Sequence, residues 1–137
     1  MSRVPDTLRK RVRERAGACC EYCRLLEEYS PTRFEPDHIM PVQHGGQTVF
    51  SNLAWACFTC NRHRLSNLAG IDWKTRKRIW LFNPRRQTWH RHFRWNGALL
   101  VGRTPVGRAT TSVLGINLPH QVALRAELML EGVFPGS

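Results

Sequence analysis

Two pairs of cysteines with the same short spacing could together bind one metal ion. The pairs are Cys20 with Cys23 and Cys57 with Cys60, and two residues separate the members of each pair. Four thiolates arranged in this way are common ligands of a structural zinc ion, which they hold tetrahedrally. The spacing therefore predicts that Zn²⁺ joins the two pairs and fixes the segment between them.

A fifth cysteine, Cys19, directly precedes Cys20, so either residue could be the first ligand. The two-residue spacing from Cys20 to Cys23 repeats the spacing of the second pair, and for that reason we favour Cys20. Close cysteine pairs and an odd total also suit metal binding in a reducing compartment better than a secreted disulfide framework. We therefore expect a cytoplasmic protein.

The residues between the two pairs, and the one directly after the second pair, could do hydrolytic chemistry. Asp37, His38 and Asn52 lie between the pairs, and Asn61 follows Cys60. A histidine with an ordinary pKa of about 6.5 can accept a proton from water near neutral pH. Carboxylate and amide oxygens bind hard cations such as Mg²⁺. Each residue alone is more often a surface or turn residue, and it is their joint order that favours a site.

The segments around these residues predict a small α+β fold. Neighbouring side chains of a regular strand point to opposite faces, so an irregularity near Pro36 is needed to bring Asp37 and His38 together. The pattern favours a basic helix over 8–15, a strand over 33–39, a loop at Gly45-Gly46, a strand over 53–56 and a helix from 58 to about 68.

The ordered elements Cys-x2-Cys, Asp-His-Ile, Gly-Gly, Asn-Leu and Cys-x2-Cys-Asn resemble the zinc-containing HNH endonucleases over about residues 17–66. The resemblance implies a ββα-metal module, also called a His-Me finger, braced by a four-cysteine zinc site. We assign this module to residues 1–69. A C-terminal extension over 70–137, a β-hairpin plus helices, is expected to pack on it.

The resemblance also implies a role for each residue of the motif. His38 would be the general base that activates water for attack on a DNA phosphorus. Asp37 and Asn61 would bind one catalytic Mg²⁺ or Mn²⁺, which would stabilise the leaving group. Asn52 would fix the loop between the strands. Many relatives have histidine at the position of Asn61, whose neutral amide is usually a weaker ligand than a carboxylate.

The charge of the chain points to a polyanionic partner. Lysine and arginine number 21 against 10 aspartates and glutamates, which gives a formal charge of +11. We expect nucleic acid, in the first place double-stranded DNA, with contacts from Arg62, His63 and Arg64. No apolar run reaches the roughly 20 residues needed to cross a bilayer, so no membrane partner is expected. Charge alone would also fit a solvated basic surface.

Tryptophans and basic residues alternate at the start of the extension. Trp73, Trp80, Trp89 and Trp95 are the tryptophans of this part of the chain, and most of them are expected to fill a small core. The alternative is that they stack on nucleic-acid bases while arginines bind phosphate.

Turn and cap residues give the secondary structure expected for the extension. Phe93 to Val101 predicts a hairpin with its turn at Asn96-Gly97. His90 and His92 are expected on one strand face. Helix starts are predicted at Thr104-Pro105 and Asn117, with stops at Gly115 and Gly132.

The leading interpretation is a metal-dependent HNH-type DNA endonuclease. One alternative is a zinc-ribbon module that binds nucleic acid without cleaving it, and another is a structural zinc protein of a larger complex. The zinc and the catalytic ion are predicted to be separate. Accordingly, Cys57→Ser should unfold the module, whereas Asp37→Ala should leave the fold intact and weaken activation by the divalent ion. Oligomeric state and target sequence stay open.

Overall fold

Short secondary-structure elements follow one another along the chain, in keeping with its 10 glycines and 8 prolines. The computed structural model describes residues 4–136. Contacts divide the chain into two units, Met1–Asn67 and Leu68–Ser137. The described residues form five α-helices and three antiparallel hairpins, which confirms the predicted α+β class. Within them, no helix has the length and apolar composition needed to cross a bilayer.

The first unit has the strand, loop, strand, helix order that the sequence predicts. Its main elements are α1 (Asp6–Ala16), β1 (Glu35–His38), β2 (Leu53–Ala56) and α2 (Phe58–Arg64). β1 and β2 pair antiparallel, with Glu35 opposite Ala56 and His38 opposite Leu53. This hairpin and α2 form a ββα arrangement consistent with an HNH module.

Helix α1 packs on the hairpin largely through arginine. Asp6 lies in its first turn, where a negative charge is favourable, and Gly17 with φ of 65° ends it. Val12 is its buried residue. Arg9 donates to Phe34 O at 2.7 Å and pairs with Glu35 at 2.6 Å. The basic side chains of α1 therefore stabilise the fold as well as charging its surface.

Strand β2 is buried along its whole length and links the two cysteine pairs. Glu21, which lies between Cys20 and Cys23, donates its backbone N–H to Trp55 O at 2.8 Å. In return, Trp55 N donates to Glu21 Oε2 at 2.7 Å. Because Trp55 is two residues before Cys57, these two bonds hold the first pair against the start of the second.

Helix α2 is shorter than the sequence predicts. It ends at Arg64 because Leu65 adopts φ of 51° and ψ of −127°, which is not a helical conformation. Asn67 N then bonds to Arg64 O at 2.9 Å and turns the chain. The extension of this helix to about residue 68 was therefore wrong.

The second unit is built from hairpins and helices around an aromatic core. Its elements are β3 (Ala69–Ile71), β4 (Arg78–Trp80), α3 (Trp89–His92), β5 (Phe93–Asn96), β6 (Leu99–Gly102), α4 (Pro105–Val113) and α5 (Pro119–Leu130). Trp89 and Phe93 have ring centroids 5.1 Å apart, and Trp95 and Phe134 have theirs 5.0 Å apart. Aromatic pairs at such distances stabilise a small core beyond their burial.

The β5–β6 hairpin forms, but its turn lies one residue later than predicted. Asn96 pairs with Leu99, so the two turn residues are Gly97 and Ala98. Gly97 takes φ of 58°, the conformation that glycine adopts without strain. Thr104 caps α4 as expected, since its Oγ1 accepts from Gly107 N at 3.1 Å.

Further expectations for this unit are wrong. His90 and His92 belong to the short helix α3 rather than to one face of a strand. Among the four tryptophans, Trp89 is buried, but Trp73 and Trp80 are each 65% exposed. The helix start predicted at Asn117 is also displaced, because α5 begins at Pro119. Asn117 instead accepts from Leu100 N at 2.9 Å.

Candidate active site

The four paired cysteines come together in one buried cluster. Their sulfur atoms all lie within 4.8 Å of one another, and Cys23 Sγ and Cys57 Sγ are 3.7 Å apart. In a tetrahedral zinc site with Zn–S bonds of about 2.3 Å, sulfur atoms are roughly 3.8 Å apart. All four are free thiols without disulfides. The donor set therefore fits a structural zinc ion, and the predicted cluster is confirmed.

Both cysteine pairs are shaped by local backbone bonds to sulfur. Cys23 N donates to Cys20 Sγ at 3.5 Å, and Cys60 N donates to Cys57 Sγ at 3.4 Å. Cys57 is also the N-cap of α2, so the second pair and the helix start are the same structure. Because the second pair starts the helix, the cysteine cluster also fixes the position of Asn61, which follows Cys60 in α2.

Cys19 lies outside the cluster. Its Sγ contacts the backbone oxygen of Arg24 at 3.2 Å and that of Cys20 at 3.6 Å. Burial raises the pKa of the Cys19 thiol to about 12, so it stays protonated at neutral pH. Cys20 rather than Cys19 is therefore the first cysteine of the cluster.

A pocket of about 530 Å³ lies at the end of the first hairpin. Residues from β1, the following loop and α2 line it, including Asp37, His38 and Asn61. The structure thus brings these three predicted site residues to one concave surface. Asn52 and His63 are not among the residues that line it.

Asp37 is nearly buried and has partners on one side only. It is 5% exposed, and its Oδ2 accepts from Tyr22 Oη at 2.9 Å and from Arg64 NH1 at 3.0 Å. Among the described residues, its Oδ1 accepts no hydrogen bond. Burial raises the pKa of Asp37 to about 6, although Arg64 and Tyr22 act in the opposite direction. A cation at Oδ1 would favour the ionised form.

Arg64 is an interior residue. It is 3% exposed, and besides Asp37 it donates to His38 O at 2.7 Å and to Ile39 O. Its guanidinium therefore binds the end of β1 and neutralises Asp37. The prediction that Arg64 contacts nucleic acid is wrong, because a side chain held by three oxygens inside the unit has no surface to offer a phosphate.

His38 is half-buried beside the loop that joins β1 to β2. Its Nε2 lies 2.9 Å from Thr48 Oγ1. Burial lowers the pKa of His38 below its ordinary value, so the ring is neutral at pH 7. A neutral ring has one nitrogen able to accept a proton, as general-base chemistry requires.

Asn52 holds both sides of that loop through its side-chain amide. Oδ1 accepts from Met40 N at 2.9 Å, while Nδ2 donates to Met40 O at 3.0 Å and to Gln47 O at 2.8 Å. Gln47 precedes Thr48, and Met40 follows His38 by two residues. These bonds connect the backbone on both sides of the contact between His38 and Thr48.

The residues after Cys60 separate into two groups. Asn61 lines the pocket, and among the described residues its side-chain amide has no hydrogen-bond partner. Arg62 and His63 are exposed. The guanidinium of Arg62 lies 5.7 Å from the centre of the Phe58 ring, and His63 Nδ1 donates to Thr59 O at 2.9 Å. Arg62 and His63 are thus surface groups of α2.

Tyr22 and Thr48 were not found from the sequence, and Arg64 was predicted as a nucleic-acid contact rather than as the partner of Asp37. Tyr22 lies within the first cysteine pair, Arg64 lies in a basic run that looks like surface, and Thr48 follows the Gly-Gly loop. The position of Tyr22 between two predicted zinc ligands indicates weakly that it belongs to the site, because such a residue is held close to the segment that the zinc fixes. For Arg64 and Thr48, nothing local distinguishes them from ordinary polar residues.

Comparison with known proteins agrees with this geometry. Residues 20–66 match the family described as HNH endonuclease. Comparisons with curated proteins and with solved structures found no match. The matched segment contains both cysteine pairs and the three pocket residues Asp37, His38 and Asn61. Residues 20–66 of this chain are therefore similar to the HNH endonuclease family.

Proposed function

We propose that this protein is a metal-dependent DNA endonuclease that hydrolyses phosphodiester bonds. The observation that carries the proposal is that Asp37, His38 and Asn61 line one pocket within the segment that matches the HNH family. An imidazole, a carboxylate and an amide at one open surface are the groups needed to activate water and to bind a hard cation. Double-stranded DNA is the proposed substrate.

His38 is the proposed general base. We assign the proton-accepting role to Nδ1, because Nε2 is within hydrogen-bond distance of Thr48 Oγ1. With Nε2–H donating to Thr48, the lone pair of Nδ1 is free to take a proton from the attacking water. The lowered pKa of His38 keeps the ring unprotonated at neutral pH, ready for this step.

Asp37 and Asn61 are the proposed ligands of one Mg²⁺ or Mn²⁺ ion. Their free oxygens suit a hard cation, and Arg64 together with Tyr22 fixes the carboxylate through its other oxygen. A bound ion would supply positive charge to the leaving 3′ oxygen, so that cleavage leaves 5′-phosphate and 3′-hydroxyl ends. Asn52 holds the loop that orients His38, and it acts as a positioning residue.

Exposed residues of α2 are the proposed phosphate contacts. Arg62 and His63 follow Asn61 on this helix and are exposed without lining the pocket, so we assign them to phosphates that flank the scissile one. Thiolate zinc ligands need a reducing environment, and we keep the cytoplasm as the expected compartment.

One observation favours the alternative function, a zinc-ribbon module that binds nucleic acid without cleaving it. The buried ion pair between Arg64 and Asp37 already neutralises the single carboxylate of the pocket. A divalent cation must therefore bind beside a guanidinium, with a neutral amide as its second protein ligand. If that arrangement binds the ion too weakly, the module would retain DNA binding alone.

Relaxation of supercoiled plasmid distinguishes the two functions. We expect wild-type protein to nick plasmid with Mg²⁺ or Mn²⁺, and His38→Ala to abolish nicking while its zinc content and DNA affinity stay unchanged. His44→Ala is the matched control, because His44 is an exposed histidine of the same loop that does not line the pocket. DNA binding without nicking by wild-type protein across a divalent-metal panel would favour the alternative.

A further inference from the structure

The hairpin β3–β4 has one covered face and one open face. Gly70 and Ile79 pair across it, and α4 lies against this side. A Cβ at Gly70 would lie 2.4 Å from Val113 Cγ2, so this side of the hairpin packs closely against α4. Side chains alternate across a strand, so Ile71 and Trp80 belong to the opposite face.

Large apolar side chains are exposed on this hairpin and its turn. Trp73 and Trp80 are each 65% exposed, and Ile71 is 55% exposed. The other large aromatic residues of the unit are buried or partly buried in its core. Exposed apolar surface of this size, concentrated in ten residues, is typical of a binding surface. We call residues 71–80 the tryptophan hairpin.

The same segment is strongly basic. Lys74, Arg76, Lys77 and Arg78 are all exposed, and none forms an ion pair with another described residue. The one acidic residue of the segment, Asp72, is buried and pairs with Arg108 through both carboxylate oxygens, at 2.7 and 3.1 Å. The open charge of the tryptophan hairpin is therefore positive throughout, and it complements a polyanion.

Asp72 also makes the turn rigid. It accepts from Thr75 Oγ1 at 2.7 Å and from Lys74 N at 3.2 Å, in addition to its contacts with Arg108. Arg76 N further donates to Asp72 O at 2.7 Å. A turn fixed in this way presents Trp73 and the cations with little loss of conformational entropy on binding.

We propose that the tryptophan hairpin binds single-stranded DNA, with Trp73 and Trp80 stacking on unpaired bases and the four cations contacting phosphates. Indole faces can stack on bases only where these are not already stacked in a duplex, and this favours single strands. Aromatic and basic residues can also bind anionic membranes, but the HNH match of residues 20–66 makes nucleic acid the better-supported partner. The inference rests on nucleic acid as the substrate class in the proposed function.

Fluorescence anisotropy without added divalent ions tests this binding independently of cleavage. The full chain is titrated onto a short labelled single strand and onto the matching duplex at fixed salt. We expect Trp73→Ala and Trp80→Ala each to weaken single-strand affinity at least about fivefold. Duplex affinity should change less than about twofold. The Trp→Phe versions should retain most of the affinity, because they keep an aromatic face.

Leu130→Ala is the matched control, because Leu130 is 87% exposed in the same unit and lies outside the tryptophan hairpin. It should bind both DNA forms as wild type does. Circular dichroism of all variants should show unchanged folding, since the substituted side chains are exposed.

Two results would overturn the inference. One is that Trp73→Ala/Trp80→Ala protein binds single strands as tightly as wild type. The other is that this double variant loses binding to phosphatidylserine vesicles but keeps its binding to single strands, which would assign the surface to membranes. Absence of plasmid nicking together with tryptophan-dependent binding of single strands would reject the endonuclease and leave this inference standing.

Discussion

The cysteine cluster and the neighbouring pocket differ in both donor atoms and exposure. The four sulfur ligands are at most 2% exposed, whereas Asn61 and His38 are partly exposed and line an open pocket. Closed thiolate sites are structural, while reactive sites keep room for water and substrate. Folding is therefore expected to depend on the four-cysteine cluster, which we call the sulfur site, and chemistry on the pocket with Asp37, His38 and Asn61. Among the described residues, the buried ion pair of Asp37 and Arg64 contributes both to folding and to the pocket.

The largest effect is expected from breaking the sulfur site. Cys57→Ser removes one ligand and also the sulfur that caps α2, so the first unit should lose zinc and its cooperative unfolding. Zinc analysis and thermal unfolding measured by circular dichroism would check both. Cys19→Ser is the control and should keep the zinc. A folded Cys57→Ser protein with full zinc content would refute the structural assignment.

The next largest effect concerns the buried ion pair. Arg64→Met leaves the Asp37 carboxylate without its cation, and we expect a loss of about 3–5 kcal/mol in the free energy of unfolding. Exposed Arg62→Met should change it by less than about 0.5 kcal/mol. Urea denaturation of the two variants would measure the difference. Equal stability of the two proteins would mean that Arg64 is not structural.

The expectation that Asp37→Ala leaves the fold intact changes for the same reason. This substitution leaves the Arg64 guanidinium buried without its counter-charge, so we now expect a destabilised first unit. Activity lost in Asp37→Ala therefore mixes folding with chemistry. Asn61, whose side chain has no partner among the described residues, is the cleaner position for testing the divalent ion.

The pH dependence of cleavage separates the two pocket groups. In the proposed mechanism His38 would act unprotonated, with a pKa that burial lowers, and Asp37 would bind the cation as a carboxylate, with a pKa that burial raises to about 6. Activity should therefore be constant above neutrality and fall as pH decreases through about 6. With limiting Mn²⁺ the fall should exceed tenfold per pH unit, because two protons inhibit. Saturating Mn²⁺ should reduce it to tenfold per unit. A rate unaffected between pH 5 and 8 would contradict these roles.

The smallest effect is expected at Asn52. Its three hydrogen bonds to the backbone of the loop contribute roughly 1–3 kcal/mol to stability. Asn52→Ala should lower kcat about tenfold or more with KM little changed, because it disturbs His38 rather than DNA binding. Asn67→Ala, at an exposed asparagine in the same unit, should be neutral. Steady-state nicking kinetics would decide, and an unchanged kcat in Asn52→Ala would remove the positioning role.

Cysteine spacing made the cysteine cluster predictable, and turn residues made the end of α1 and the β5–β6 hairpin predictable, the latter to within one residue at its turn. Two cysteine pairs with two-residue spacing commonly bind a structural zinc ion. Gly17 and Gly97 both adopt positive φ, which glycine does without strain. Arg64 could not be placed from sequence, because its burial depends on the carbonyls of His38 and Ile39, which approach only after the hairpin folds. A basic run is indistinguishable from surface until these partners are known.

The tryptophans show a similar limit. The hydrophobicity of the indole side chain alone favours burial, and Trp89 is buried as expected. Trp80 does not, because alternation along β4 gives the covered face to Ile79. Which face of a two-stranded hairpin meets a helix is decided by Gly70 and α4, which are distant in sequence.

Binding of Mn²⁺ to metal-replete protein is the most direct test of two separate metal sites. Electron paramagnetic resonance would follow Mn²⁺ binding by wild-type, Asn61→Ala and control Asn67→Ala proteins, with zinc measured in the same samples. We expect one zinc per chain in all three, and weaker Mn²⁺ binding in Asn61→Ala alone. Identical Mn²⁺ affinity in all three proteins, or loss of zinc as Mn²⁺ binds, would contradict the separation of the structural cysteine site from the metal site proposed at Asp37 and Asn61.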